Sequence, residues 1–151
     1  MEPVQFSDAL SLTGLTDTQL REWCGKRNLF APTVPARGPG RLALFTWQDI
    51  VALRVFHEVV SVFGGKAVGW SDGVAHFRKL LDGQFFLSLW DKSVIFTDQR
   101  TAMLYAASSV PLDNAALVVP LAPHLNAIEN HRAPQEPQRQ LPLVTQIGGG
   151  R

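Results

Sequence analysis

Residues 6–60, FSDALSLTGLTDTQLREWCGKRNLFAPTVPARGPGRLALFTWQDIVALRVFHEVV, decide the reading of the chain. The pattern predicts a short helix, a tight turn at Gly14, a second helix opened at Thr16 or Asp17, a loop rich in Pro, Gly and Arg, and a third helix opened at Thr46. Ser7 or Asp8 is expected to cap helix one, because either side chain can accept a backbone N–H left free in the first turn. Phe6, Ala9, Leu10 and Leu12 supply its buried face. Gly14 suits the positive backbone angle that an inter-helical turn often needs, with Leu15 plugging the space between the helices. Thr16 caps helix two, and Gln19 three residues on completes a capping box. Leu20 and Trp23 share one inward face at three-residue spacing, which leaves Gln19, Glu22 and Lys26 facing outward.

The loop carries Pro32, Pro35, Gly38, Pro39 and Gly40, which remove donors and loosen the backbone. Arg37 and Arg41 flank its tip. Residues 42–45 are expected to return as a strand against Leu29 and Phe30. Helix three should span 47–63, with Thr46 as its cap and Asp49 at the third helical position. Its many apolar residues, Ile50 to Phe63, call for cover from a second lobe or another subunit.

Two short helices joined through a glycine suit a helix-turn-helix, which can lay its second helix in a DNA major groove. On FSDALSLTGLT, LREWC, GKRNLFAP, RGPGRLALF and TWQDIVALRVF, the segment resembles the winged helix-turn-helix domain of the MerR family of transcription regulators. In that family the second helix enters the groove, the following loop is a wing on the backbone, and the third helix packs beneath. Arg21 falls where the family has an Arg-aromatic-Tyr run. Trp23 takes the place of its last aromatic, and Glu22 lies between them. In the wing, Ala43 and Leu44 replace two arginines, Phe45 keeps the aromatic position, and Arg41 stands slightly upstream.

Composition bounds these expectations. With 151 residues, the chain has room for one ordinary core or for a small DNA-binding unit plus a second lobe. Fourteen basic and thirteen acidic residues give no global field, so any nucleic-acid surface must be local. Between residues 18 and 41, five cations (Arg21, Lys26, Arg27, Arg37, Arg41) face the single acid Glu22. The lone cysteine, Cys24, reads as a small apolar residue on a helix, in keeping with a reducing cytosol. No signal-like segment or run of about eighteen apolar residues points to export or a membrane span.

Beyond Gly64 and Gly65 the resemblance stops, because no heptad pattern follows. Residues 70–81 read as an amphipathic helix capped by Ser71, with Val74, Phe77, Leu80 and Leu81 inward and Arg78 and Lys79 outward. Residues 84–89 and 93–97 read as two strands of a hairpin turning at Trp90, Asp91 and Lys92. Residues 101–107 suit a short strand or helix, 117–119 a strand, and 121–128 a short helix. From His131 the chain turns to Pro, Gln, Arg and Gly and is expected to be disordered, with 141–147 as its one apolar island.

The expected architecture is α+β: a winged helix-turn-helix at 5–64, a small helix-and-sheet lobe at 66–130, and a disordered tail at 131–151. The lobe's sheet edge is a candidate dimer surface, and residues 66–130 are also a candidate effector module or docking region for a protein partner. The four histidines, His57, His76, His124 and His131, are widely spaced and lie beside no nucleophile-like turn. No enzyme, metal or cofactor is therefore expected. The functional expectation is sequence-specific binding of double-stranded DNA by a cytoplasmic, nucleoid-associated homodimer. Arg21, Lys26, Arg27, Arg37 and Arg41 would hold the backbone and Thr16, Thr18, Gln19 and Glu22 would read bases, on a core of Leu20, Trp23 and Phe45. The competing expectation, favoured by Glu22, Ala43 and Leu44, is a protein-interaction module that has the winged shape without DNA binding.

Overall fold

A computed structural model describes residues 1–38, 42–110 and 115–133. Arg41, residues 134–151 of the expected tail and the apolar island 141–147 lie outside them. In chain order the described elements are α1 (Phe6–Thr13), α2 (Asp17–Arg21), α3 (Trp47–Phe63), α4 (Ser71–Leu80), β1 (Lys92–Phe96), β2 (Ala102–Ala106), β3 (Leu117–Pro120) and α5 (Ala122–Arg132). Helix and sheet are thus mixed, with the sheet segregated to the second half. His131 and Arg132, placed in the tail by the sequence reading, close α5.

Helix α1 starts at Phe6 with Gln5 as its cap and no side-chain cap bond, so neither Ser7 nor Asp8 takes that role. The cause lies one residue upstream. Val4 exchanges two backbone hydrogen bonds with Phe45, at 2.8 and 2.9 Å, and this bridge fixes the chain's entry into α1. At the other end Gly14 adopts a left-handed conformation (φ +71°), and its N–H donates to the Leu10 carbonyl at 3.0 Å.

The return strand also pairs differently from expectation. Leu44 bridges Val34 and Phe45 bridges Val4. Leu29 and Phe30 are unavailable because both of their N–H groups donate to the Trp23 carbonyl, at 2.8 and 3.1 Å, where the chain leaves α2.

Helix α3 is the beam of the molecule. Thr46 and Asp49 form the capping box, and Ile50, Val51, Leu53, Val55, Phe56 and Val59 are buried along its length. Their cover comes from the same chain. Buried residues of α1 (Ala9, Leu12), α4 (Val74, Phe77), β1 (Val94, Phe96) and α5 (Leu125, Ile128) join Ile50, Val51, Leu53, Val55 and Phe56 in one contiguous core.

The sheet is antiparallel with order β2-β1-β3. Alternation along the strands sends Val94, Phe96, Ala102, Leu104, Leu117 and Val119 toward the core. On the other face Ile95 lies between Met103 and Val118, which are both 37% exposed.

The hairpin therefore sits one element later than the sequence pattern suggested. Residues 86–89 form a 3-10 turn because Leu89 is buried and Phe86 packs edge-on against Trp47 and Trp90, at 5.4 and 6.3 Å. The true turn joins β1 to β2, where the Asp98 carboxylate accepts from the N–H groups of Arg100 (2.7 Å) and Thr101 (2.8 Å). Gly73 of α4 lies against this turn. Its N–H donates to the Gln99 carbonyl at 2.9 Å, and a Cβ there would come within 2.8 Å of the same oxygen.

Trp23 is 6% exposed, with its ring centroid 4.5 Å from that of Phe56 on α3. Trp23→Ala should cost about 3–5 kcal/mol of stability by urea denaturation. A loss near zero would mean that the ring does not anchor α2 to the beam.

Candidate functional site

The α2 face is built from a short helix that runs on without a break into a wider π turn, Glu22–Lys26. Thr16 caps it reciprocally: its hydroxyl accepts the Gln19 N–H at 3.2 Å, and the Gln19 side-chain oxygen accepts the Thr16 N–H at 3.0 Å. Thr16 and the carbonyl end of Gln19, expected to read bases, are therefore occupied by the cap. Thr18, Arg21, Lys26 and Arg27 are exposed, and Glu22 is half-buried. Beneath them Leu20, Trp23 and Phe45 are buried, as a supporting core requires.

Two of the cations are answered by acids on the same element. Arg21 holds Asp17 through two parallel bonds, Nε–Oδ1 at 2.5 Å and Nη2–Oδ2 at 3.2 Å, and its guanidinium lies 4.8 Å from the Phe6 ring centroid. Arg27 Nε lies 3.8 Å from Glu22. The sequence reading missed Asp17 as a partner, although its i,i+4 spacing from Arg21 was visible. With Asp17 counted, residues 17–41 hold five cations against two acids, an excess of three.

The loop after α2 carries the exposed Arg37 and runs beside α2, so that Pro32, Pro35, Ala36 and Leu42 share one slot with Arg21, Cys24 and Gly25. Burial, and then the nearby charge of Asp49, push the Cys24 thiol up to about 12, so it stays neutral and unreactive at physiological pH.

A buried ion pair holds this loop in place. The fully buried Asp49 carboxylate accepts from Thr33 N (2.9 Å), Thr33 Oγ1 (3.0 Å), Thr46 N (2.9 Å) and Arg78 Nε (2.6 Å). Arg78 also donates to Thr33 Oγ1 at 2.8 Å and pairs with Asp82. Its expected outward orientation is thus wrong, because its side chain is only 15% exposed and turned onto Asp49. Burial alone would lower the Arg78 pKa. Bonds and charge from Asp49 and Asp82 outweigh it and hold the group above its ordinary value.

A second cluster lies between α3 and α5. Arg54 donates to the Leu12 carbonyl at the end of α1, a favourable place for a cation, while burial lowers its pKa. His124 Nε2 approaches Glu58 to 2.8 Å, yet the approach is poorly aligned, and neither ring nitrogen has a well-directed hydrogen bond among the described residues. Burial dominates there and lowers the His124 pKa from 6.5, against the opposing charge of Glu58.

Among the described residues, no three His, Cys, Asp or Glu side chains gather as a metal site. No helix among them is long and apolar enough to cross a membrane. No protein-family model matches the chain, and a search of the curated proteins finds no match.

Replacing Arg78 with Met would leave the Asp49 carboxylate buried without its ion partner. The expected loss is about 3–5 kcal/mol by urea denaturation, accompanied by faster amide exchange at Thr33.

His124 generates a pH dependence of definite sign. The unfolded chain takes up a proton near pH 6.5 while the folded histidine resists it, so the unfolded state binds more protons between the lowered folded value and 6.5. Stability should therefore rise with pH through that window and be lost as pH falls. Urea midpoints from about pH 8 to pH 5 should fall more steeply for the wild type than for His124→Leu. Parallel curves would refute the assignment.

Proposed function

We propose that the chain binds double-stranded DNA as a transcription regulator, through a winged helix-turn-helix of the MerR kind. In this reading helical residues 16–26 enter the major groove and the loop 30–45 lies on the backbone as a wing. The observation that carries it is an exposed polar and cationic helix face, seated on a buried aromatic core and flanked by an arginine-bearing loop. The helical stretch 17–26 would span about 15 Å, enough to present one face across several base edges.

Roles divide by exposure. Thr18 and the amide end of Gln19 look at bases. Arg21, Lys26, Arg27, Arg37 and Arg41 serve the backbone, with Arg21 and Arg27 first exchanging or sharing their carboxylate partners. Such a unit buries little DNA on its own, which favours a dimer. The outer sheet face around Met103 and Val118 is the apolar surface that suits self-association. The protein would then act in the cytoplasm, at the nucleoid.

The second reading is a protein-interaction module that does not bind DNA. It is favoured by the pairing of Arg21 with Asp17 and of Arg27 with Glu22, and by Phe85 and Leu87, which stand 83% and 74% exposed.

Fluorescence anisotropy with random-sequence duplex DNA separates the two. The wild type should bind tightly at low salt, with an affinity that falls linearly on a logarithmic salt scale. The Arg37→Ala/Arg41→Ala variant should bind more weakly, with a slope reduced by about two. Absence of binding by both proteins at low salt would remove the DNA reading and leave the interaction module.

A further inference from the structure

The open slot between α1, α2 and the loop has a volume of about 620 Å³. That lies within the roughly 300–1,000 Å³ usual for small-molecule sites. Its walls are apolar: Phe6, Leu20, Cys24, Pro35, Leu42 and Phe45 all face it. The Phe45 N–H and carbonyl are already paired with Val4, so the backbone of this one lining residue is occupied. Leu42 is 65% exposed, which leaves apolar surface at the mouth for an occupant to cover.

Gln5, Ser7 and Arg21 bring polar side chains to the lining. Among the described residues, Arg21 is the only charged side chain lining the slot. Its guanidinium is already oriented by Asp17 on one side and the Phe6 ring on the other. Asp17 takes the Nε and Nη2 positions and leaves the Nη1 edge to a second acceptor.

We propose that this slot is a binding site for an amphipathic carboxylate, whose apolar body lies between α2 and the loop and whose carboxylate rests on the Nη1 edge of Arg21. A neutral apolar compound gains the walls without the anchor. A small polar anion gains an exposed arginine already shared with Asp17 and little else, which makes the amphipathic class the best match. The proposal stands independently of DNA binding.

The test is an NMR titration of the full chain, without DNA, using octanoate and uncharged 1-octanol as probes. Octanoate should give saturable shifts at the amides of Ser7, Cys24, Ala36 and Ala43. Arg21→Met should weaken octanoate about fivefold and leave octanol nearly unchanged. Ala36→Trp, at an exposed loop position, should fill the slot and abolish both while the spectrum stays dispersed; Ala43→Phe tests the same wall from the opposite strand. The proposal is overturned by shifts that do not saturate or that centre on Phe85 and Leu87. Octanoate binding that is indifferent to Arg21→Met, or to both filled-slot variants, also overturns it.

Discussion

The carboxylate of Asp49 is the constraint on which the rest of the molecule depends. It is wholly buried, and a buried charge is tolerated only when its oxygens are satisfied and a counter-charge lies close. Here one side chain does three things: it closes the capping box of α3, accepts both the N–H and the hydroxyl of Thr33 in the loop, and receives Arg78 from α4. Its place in the first turn of α3 adds the favourable field of the helix N-terminus. The loop, the beam and α4 are therefore held in one geometry by a single residue.

From that fixed end α3 runs through the core, and its inward residues up to Val59 are covered by its own chain, while Val62 and Phe63 at its far end stay exposed. Trp23 packs on Phe56, and His57 lies edge-on to the same indole at 6.5 Å. Phe77 meets Phe96, which brings α4 and the sheet together. On the α5 side the contacts are polar, with the buried His124 and the partly buried Arg54 set beside a Glu58 that is half exposed. The Asp49 carboxylate is satisfied by its bonds, whereas neither His124 ring nitrogen has a well-directed partner among the described residues.

The face presented by α2 and the loop is a compromise between charge and apolar surface. Local pairing of Arg21 and Arg27 tempers its positive field, while the slot beside them is lined by proline, leucine and phenylalanine. The face thus combines exposed arginines with an apolar slot between the helix and the loop. Both are local properties of one turn of helix and one loop, made dependable by the buried residues beneath.

Much of this was legible in the sequence wherever a signal is local. The capping boxes at Thr16–Gln19 and Thr46–Asp49, the glycine turn at Gly14 and the inward Leu20 and Trp23 follow from spacing alone, because they are settled within one or two turns of chain. What only the tertiary structure decided is what lies far apart in sequence. Val4 claims Phe45 before Leu29 or Phe30 can, residues 86–89 curl because Phe86 finds Trp47, and Arg78 leaves its expected solvent face for Asp49, 29 residues away. An arginine on a helix reads as solvated by its own neighbours, and only a buried carboxylate brought up by the fold gives it a reason to turn inward.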